Sequence, residues 1–197
     1  MTLILASQSP SRRAMLAAAG VPHEAMVAGV DEDSVKESLR AEGVGARDLA
    51  DALAELKATK LSRRYGTDLV LGCDSTVVLD DGTMLDKATS RDEQADLLRK
   101  ISGQRHRLYS AAVICEGGDP VWRHVDVAKM HVRTLSEAFI ESYLDLEWPA
   151  VGGCVGGYRV EGPGIQLFAK IEGSQFTIQG LPLLPLLDYL RSRKMLP

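Results

Sequence analysis

The residues that most constrain the fold are Leu3-Ile4-Leu5-Ala6, an apolar run that stops at Ser7 and leads through Gln8-Ser9-Pro10 into a helical pattern. A short apolar run without alternation suits a strand buried on both faces, as parallel strands are. The helical pattern spans Ser11 to Ala19, and Gly20 is placed to end it. A chain that opens strand, turn, helix is expected to cover a sheet with helices.

The alternation continues. A short stretch at Glu24–Val27 precedes a polar turn through Gly29 to Ser34, and Ser34–Glu42 reads as a short helix. The strongest helical pattern is Arg47–Arg64, with Leu49, Leu53, Leu56 and Leu61 at helical spacing. Asp68–Leu79 reads as two strands interrupted at Cys73-Asp74-Ser75, followed by a hairpin turn at Asp80-Asp81-Gly82. Ser90 and Glu93 form a capping box for a helix over Arg91–Ile101, and Thr134 and Glu137 form another for a helix ending near Leu146. Between them, His106–Cys115 and Val121–Val132 are strands joined by a turn through Gly117 and Gly118. The glycine-rich segment from Gly152 to Gly164 is the expected hinge or rim between two lobes. Gln175–Gln179 reads as a strand, and Gly180–Ser192 as a closing helix with Pro182 in its first turn. No repeat or linker interrupts the chain. The reading is one domain, residues 1–197, of α/β or α+β class with a mixed sheet.

A net charge of −4 gives the molecule as a whole no attraction for nucleic acid or an anionic membrane, and neither is expected as a partner. No run is long and apolar enough for a membrane span. The N-terminus lacks the basic segment and apolar stretch of a signal peptide. Cys73, Cys115 and Cys154 are odd in number and form no C-x-x-C pair, which argues against a disulfide framework or zinc ribbon and fits a reducing cytosol. A cytoplasmic location is expected.

In α/β sheets, ligands bind beyond the carboxyl ends of strands, and Ser7 to Arg13 occupy that place. The following helix N-terminus offers unpaired N–H groups, Ser7 and Ser9 offer hydroxyls, and Arg12 and Arg13 offer guanidinium forks suited to phosphate oxygens. The plain alternative is that a serine caps the helix and the arginines are solvated. G-x-x-x-x-G-K is absent, so this is no Walker loop. Asp74, delivered by a strong apolar strand, can bind Mg²⁺, orient water or accept a proton, or merely cap a turn. Glu32 is the candidate second carboxylate. Lys57 and Lys87 would ordinarily be surface charge. Gly156, Gly157, Gly162 and Gly164 permit close approach of backbone to a ligand, and Glu161 among them can accept hydrogen bonds from a base. His23, His106, His124 and His131 form no ligand pattern.

In their order along the chain, "LILASQSPSRR", "VDE", "ELKATK", "GCDSTVV", "ISGQRHRLYSA", "GGYRVEGPGIQL" and "IQGLPLLPLLDYL" resemble the Maf family of nucleoside triphosphate pyrophosphatases, historically called septum-formation inhibitor proteins. The resemblance covers essentially the whole chain. It implies an elongated, bent mixed sheet with flanking helices and a cleft between two lobes, similar to inosine triphosphatases. It implies hydrolysis of a nucleoside triphosphate to monophosphate and pyrophosphate with Mg²⁺ or Mn²⁺. Carried over, Ser7, Ser9, Arg12 and Arg13 match the phosphate-binding opening. Glu32, Lys57, Asp74 and Lys87 match the charged cleft, with Asp74 as proton acceptor and Glu32 and Asp74 as metal ligands. A homodimer is expected.

The sequence departs from the family pattern at Asp86-Lys87-Ala88, where Gly-Lys-Pro is usual. It also departs at three positions tied to the base. Members resembling dTTP/UTP enzymes carry arginine, threonine and glutamine where this chain has Ser11, Ser75 and Glu161. Members resembling 7-methyl-GTP enzymes carry an aromatic residue, glutamine and glutamate, matched here only at Glu161. An ionised glutamate accepts hydrogen bonds and cannot donate to a pyrimidine carbonyl, so a 7-methyl-GTP-like nucleotide is expected over dTTP or UTP. The competing function is a non-catalytic nucleotide-binding regulator of cell division. The carboxylate pair argues against it, because a pure binder needs none.

Overall fold

A computed structural model describes residues 2–197. Its strands are β1 (Leu3–Ala6), β2 (Glu24–Ala25), β3 (Leu69–Leu79), β4 (Met84–Leu85), β5 (Arg105–Glu116), β6 (Asp119–Val132) and β7 (Phe168–Glu172). Its helices are α1 (Pro10–Ala18), α2 (Glu32–Ala41), α3 (Ala46–Tyr65), α4 (Arg91–Ile101), α5 (Glu137–Glu147), α6 (Gln175–Ile178) and α7 (Leu183–Ser192). The sheet order is β2-β1-β3-β5-β6-β7, with β4 paired to β3. β1 is parallel to β2 and to β3, whereas β4 and β7 are antiparallel to β3 and β6, so the expected mixed α/β sheet is present.

Contacts divide the chain into two compact units. The first is the segment ending at Ser75 with Tyr109–Asp126 and Gly180–Pro197, and the second is Thr76–Leu108 with Val127–Gln179. The glycine-rich segment lies wholly inside the second unit, so the expectation of a hinge there is corrected: the junctions fall at residues 75/76, 108/109, 126/127 and 179/180.

In the first unit the pleat sorts side chains onto two covered faces. Leu3, Leu5, Leu69, Leu71 and Cys73 share one core with Met15 and Leu16 of α1 and Leu183, Leu186 and Leu190 of α7. Ile4, Ala6 and Val70 share the other with Ala50, Ala54, Ala58 and Leu61 of α3. Burial on both faces is why the opening run shows no alternation. The leucine stripe expected on α3 is partly corrected: Leu56 is only half-buried, and the alanines make the contact with the strand. Gly72 explains why small residues are needed there. A Cβ at Gly72 would lie 2.0 Å from the Ala54 carbonyl oxygen and 2.8 Å from the Ala58 nitrogen, so the helix lies directly on the strand.

The second unit is built on Val77, Leu79, Leu98, Ile101, Met130, Ile140, Leu144 and Leu167, with Tyr143 and Tyr158. Several local readings are corrected. β3 runs unbroken through Cys73-Asp74-Ser75, because Cys73 and Asp74 are buried by packing on either face. The cap of α5 is Ser136, whose side chain accepts from the Phe139 amide, not Thr134. Ser90 caps α4 as expected, and the Glu93 carboxylate accepts from the Ser90 amide to close the box as well as from Thr89. Gln175–Ile178 is a short helix capped by Ser174, and the neighbouring strand is Phe168–Glu172. Pro182 is the residue before α7 rather than inside its first turn. The β5–β6 loop shrinks to Gly117 and Gly118, both at positive φ, as two-residue hairpins require.

Candidate active site

Asp74 follows Gly72 by two residues on β3, so both face α3. The close approach at Gly72 brings Lys57 of α3 to Asp74, with Nζ 2.8 Å from Asp74 Oδ1. The same ammonium lies 2.8 Å from Glu32 Oε2. Glu32 does not sit in a turn, as the sequence reading had it. It is the first residue of α2, because Asp31 caps that helix by accepting from the Ser34 amide. Hydrogen bonds from the Ser34 hydroxyl and amide hold the Asp31 carboxyl below its ordinary value. Lys60 donates to the Gly29 carbonyl and ties the approach to α2 against α3.

Lys57 and Asp74 are each 7% exposed. Asp74 Oδ2 is buried and has no hydrogen-bond partner among the described residues. A buried carboxylate oxygen left unpaired is costly, and such an atom marks a site that awaits a donor, a water or a cation. Among the described residues no cluster of three or more His, Cys, Asp or Glu is placed to hold a metal. Two carboxylates are nonetheless the donor set Mg²⁺ takes when waters and phosphate oxygens complete its shell.

Arg12 is buried and reaches back over the strand ends. Nε donates to the Gly180 carbonyl at 2.7 Å, Nη1 to the Cys73 carbonyl at 3.1 Å and to Ser7 Oγ at 3.3 Å, and Nη2 to Ser75 Oγ at 3.0 Å. Ser75 Oγ also lies 2.8 Å from Ser110 Oγ. Ser75, expected to read the base, accepts a hydrogen bond from Arg12 in this structure. Among the described residues every hydrogen-bond acceptor of this guanidinium is neutral, so no carboxylate is bonded to it beside the end of β3. Sequence reasoning missed Gly180, Ser110 and Gly72 as parts of this frame. Gly180 sits at φ +101°, and a Cβ there would lie 3.1 Å from Arg12 Nε, so glycine is required.

Ser7 Oγ accepts from the Ser9 amide as well as from Arg12, so its remaining capacity is to donate. Ser9 caps α1 with a long 3.4 Å contact from the Arg12 amide, and Pro10 takes the first helical position. Ser11 is half-buried beside them. Arg13 is exposed, and its guanidinium makes no hydrogen bond or ion pair among the described residues. The structure therefore brings Ser7, Ser9, Arg12 and Ser75 into one group in the first unit, and Glu32, Lys57 and Asp74 into another.

Lys87 and Glu161 belong to the second unit, and both are exposed there, after β4 and before the Pro163–Leu167 turn respectively. Three of the four glycines around Glu161 are spent on packing, and Gly162 is not, since a Cβ there would come no closer than 3.6 Å to Glu147 Oε1. A Cβ at Gly156 would meet the Tyr158 ring at 2.4 Å, one at Gly157 the Gln94 amide at 1.9 Å, and one at Gly164 the Arg159 carbonyl at 2.5 Å. Arg159 is held by Glu147 through Nε–Oε2 at 2.7 Å and Nη2–Oε1 at 3.0 Å.

The family model described as Maf-like protein matches residues 2–193. The chain belongs to the Maf family. A Sphingopyxis alaskensis relative named nucleoside triphosphate pyrophosphatase is 50% identical to this Maf protein over 197 residues, covering all of both chains. A Granulibacter bethesdensis relative of the same name is 47% identical over 196 residues, covering 100% of this chain and 99% of its own. A solved structure of a nucleoside-triphosphatase / dITP/XTP pyrophosphatase from Mycobacterium abscessus aligns over 98% of each chain at 16% identity with a TM-score of 0.48.

Proposed function

We propose that the chain hydrolyses nucleoside triphosphates between the α and β phosphates, releasing the monophosphate and pyrophosphate, with Mg²⁺ or Mn²⁺ as cofactor. Relatives of the family carry that name. The observation that carries the proposal is Asp74: a buried carboxylate with one oxygen on Lys57 and the other unpartnered. Asp74 Oδ2 takes the proton from the water that attacks the α-phosphorus. Glu32 and Asp74 would hold the cation, directly or through water, and when bound it would supply positive charge to the phosphate oxygens. Ser7 and Ser9 donate to phosphate oxygens, and Arg13 supplies an exposed guanidinium free to turn to them. Arg12 contributes its positive charge and fixes the strand ends. Lys87 is assigned to the polyphosphate as a second cation.

For the base, Glu161 is assigned as reader. Its ionised carboxylate accepts from the N1–H and exocyclic amine of guanine and cannot pair with pyrimidine carbonyls. The preferred substrate is accordingly a guanine-type triphosphate, 7-methyl-GTP above dTTP or UTP. The role is clearance of non-standard nucleotides in the cytoplasm by a homodimer that needs neither nucleic acid nor membrane. Among the described residues no helix is long and apolar enough to cross a membrane. The test is a panel of standard and modified triphosphates, with and without Mg²⁺, scored for monophosphate and pyrophosphate. Nucleotide binding without release would instead make the protein a non-catalytic regulator.

A further inference from the structure

The position between the two carboxylates is already filled by a cation of the protein's own. Lys57 Nζ lies 2.8 Å from Glu32 Oε2 and 2.8 Å from Asp74 Oδ1, so the two oxygens are separated by no more than twice that distance. Two of the three ammonium donors are thereby used. We infer that Lys57 is a resident counter-cation that occupies the divalent-cation position of the nucleotide-free protein and must release at least one carboxylate before both can hold the metal. The inference rests on the metal-dependent reading above and deepens it.

Charge balance supplies the argument. Two carboxylates and one ammonium leave a net charge of about −1 where Lys57 and Asp74 are each 7% exposed. A dication added with the ammonium in place would turn that into a net positive charge, with two cations competing for the same oxygens. A dication that replaces the ammonium leaves the pair neutral. Asp74 Oδ2, buried and unpartnered, is the foothold from which exchange can begin. A lysine suits this task better than an arginine, because its point charge on a flexible four-carbon stem can leave without breaking a bidentate fork. A triphosphate gives the displaced ammonium somewhere to go. Metal should therefore bind weakly alone and more tightly with nucleotide, and the two effects must be reciprocal.

The test is a Mn²⁺ titration without nucleotide, read by electron paramagnetic resonance of free Mn²⁺, on the unaltered protein and on Lys57→Met and Lys57→Gln. Folding is checked by circular dichroism. The expected result is a Kd for Mn²⁺ lower by about tenfold or more in both variants, since a competing unit charge is gone. A non-hydrolysable triphosphate analogue should tighten Mn²⁺ binding more in the unaltered protein than in the variants. Unchanged or weaker Mn²⁺ affinity in folded variants overturns the proposal. If both variants fail to fold, a crystal structure of the unaltered protein with Mn²⁺ decides. Nζ detached from at least one carboxylate is expected, and both 2.8 Å contacts kept with the metal on Glu32 and Asp74 overturns it. Absence of Mn²⁺ binding in every protein also overturns it. Pyrophosphate release that proceeds without metal would remove the metal reading as well, whereas metal-dependent release with a lysine-independent Kd removes the counter-cation alone.

Discussion

His106 gives the second unit an acid-sensitive stability whose size follows from its surroundings. The ring is fully buried against Tyr158 and Phe168. Nε2 lies 2.7 Å from the Tyr158 hydroxyl, and Nδ1 is buried without a partner among the described residues. An imidazolium donates from both nitrogens, so protonation would strand one N–H. Burial therefore pushes the pKa from 6.5 down to about 4, with Asp80 pulling it up and His131 pushing it further down. Above pH 6.5 the ring is neutral in both states and the full stability is present. Below that, the unfolded chain takes a proton that the folded chain refuses, and stability falls by about 1.4 kcal/mol per pH unit until the folded pKa is reached. The whole effect is roughly 3 kcal/mol, of which about 2.5 kcal/mol is lost between pH 7 and 4.5. Urea unfolding at both pH values, on the unaltered protein and on His106→Gln, isolates the ring, because the carboxylates and the His131–Glu172 pair are common to both. A Trp122→Phe background leaves Trp148, which lies in the second unit, as the fluorescent reporter. His106→Gln should lose about 2.5 kcal/mol less than the unaltered protein across that interval. Equal losses would refute the reasoning, since they would mean that the folded ring accepts its proton as readily as the unfolded one.

Asp74→Asn keeps the shape, removes the base and weakens the hold on the metal; pyrophosphate release should fall by roughly 10²-fold or more in kcat with the fold intact by circular dichroism. Arg13→Ala should lower kcat/KM roughly ten- to a hundredfold for every triphosphate alike, as loss of a charge-assisted contact to phosphate would. A changed ranking of bases would contradict that role. Gly180→Ala forces a Cβ against Arg12 and should cost about 1–2 kcal/mol in urea melts while slowing turnover. Glu161→Gln should shift activity toward pyrimidine triphosphates, and an unmoved dTTP to 7-methyl-GTP ratio would release Glu161 from base reading.

What the sequence made legible is local. β1 was readable because both of its faces are covered, which leaves an unbroken apolar run, and α4 because Ser90 caps it through its neighbour three residues on. The interruption expected at Cys73-Asp74-Ser75 failed because a polar residue in a strand looks like a break until its partner is known. Lys57, 17 residues earlier, is that partner. Gln175–Gln179 failed because β-branched and aromatic residues favour a strand, whereas Ser174 supplies a helix cap that overrides so short a preference. Gly72 and Gly180 carry no pattern at all. Their meaning lies in the Ala54 carbonyl and the Arg12 guanidinium, contacts that one sequence without its fold does not display.

The paired arginines show how the two kinds of information combine. Successive residues on a helix point about 100° apart, so Arg12 and Arg13 cannot both face the strand ends. Arg12 faces inward and is 9% exposed, and its acceptors come from β1's exit, β3 and Gly180 between α6 and α7. It does the work of a structural tie that also leaves a positive charge at the mouth of the sheet. Arg13 is exposed without an acceptor among the described residues, which leaves its five donors available to an anion. Loss of Arg12 would move Ser7, Cys73 and Ser75 together and so displace the backbone that carries Asp74. Loss of Arg13 would move nothing and remove only a charge. Burial divides the pair: Arg12 is tied into the strand ends and Arg13 stays exposed, a difference that identical side chains conceal in the sequence.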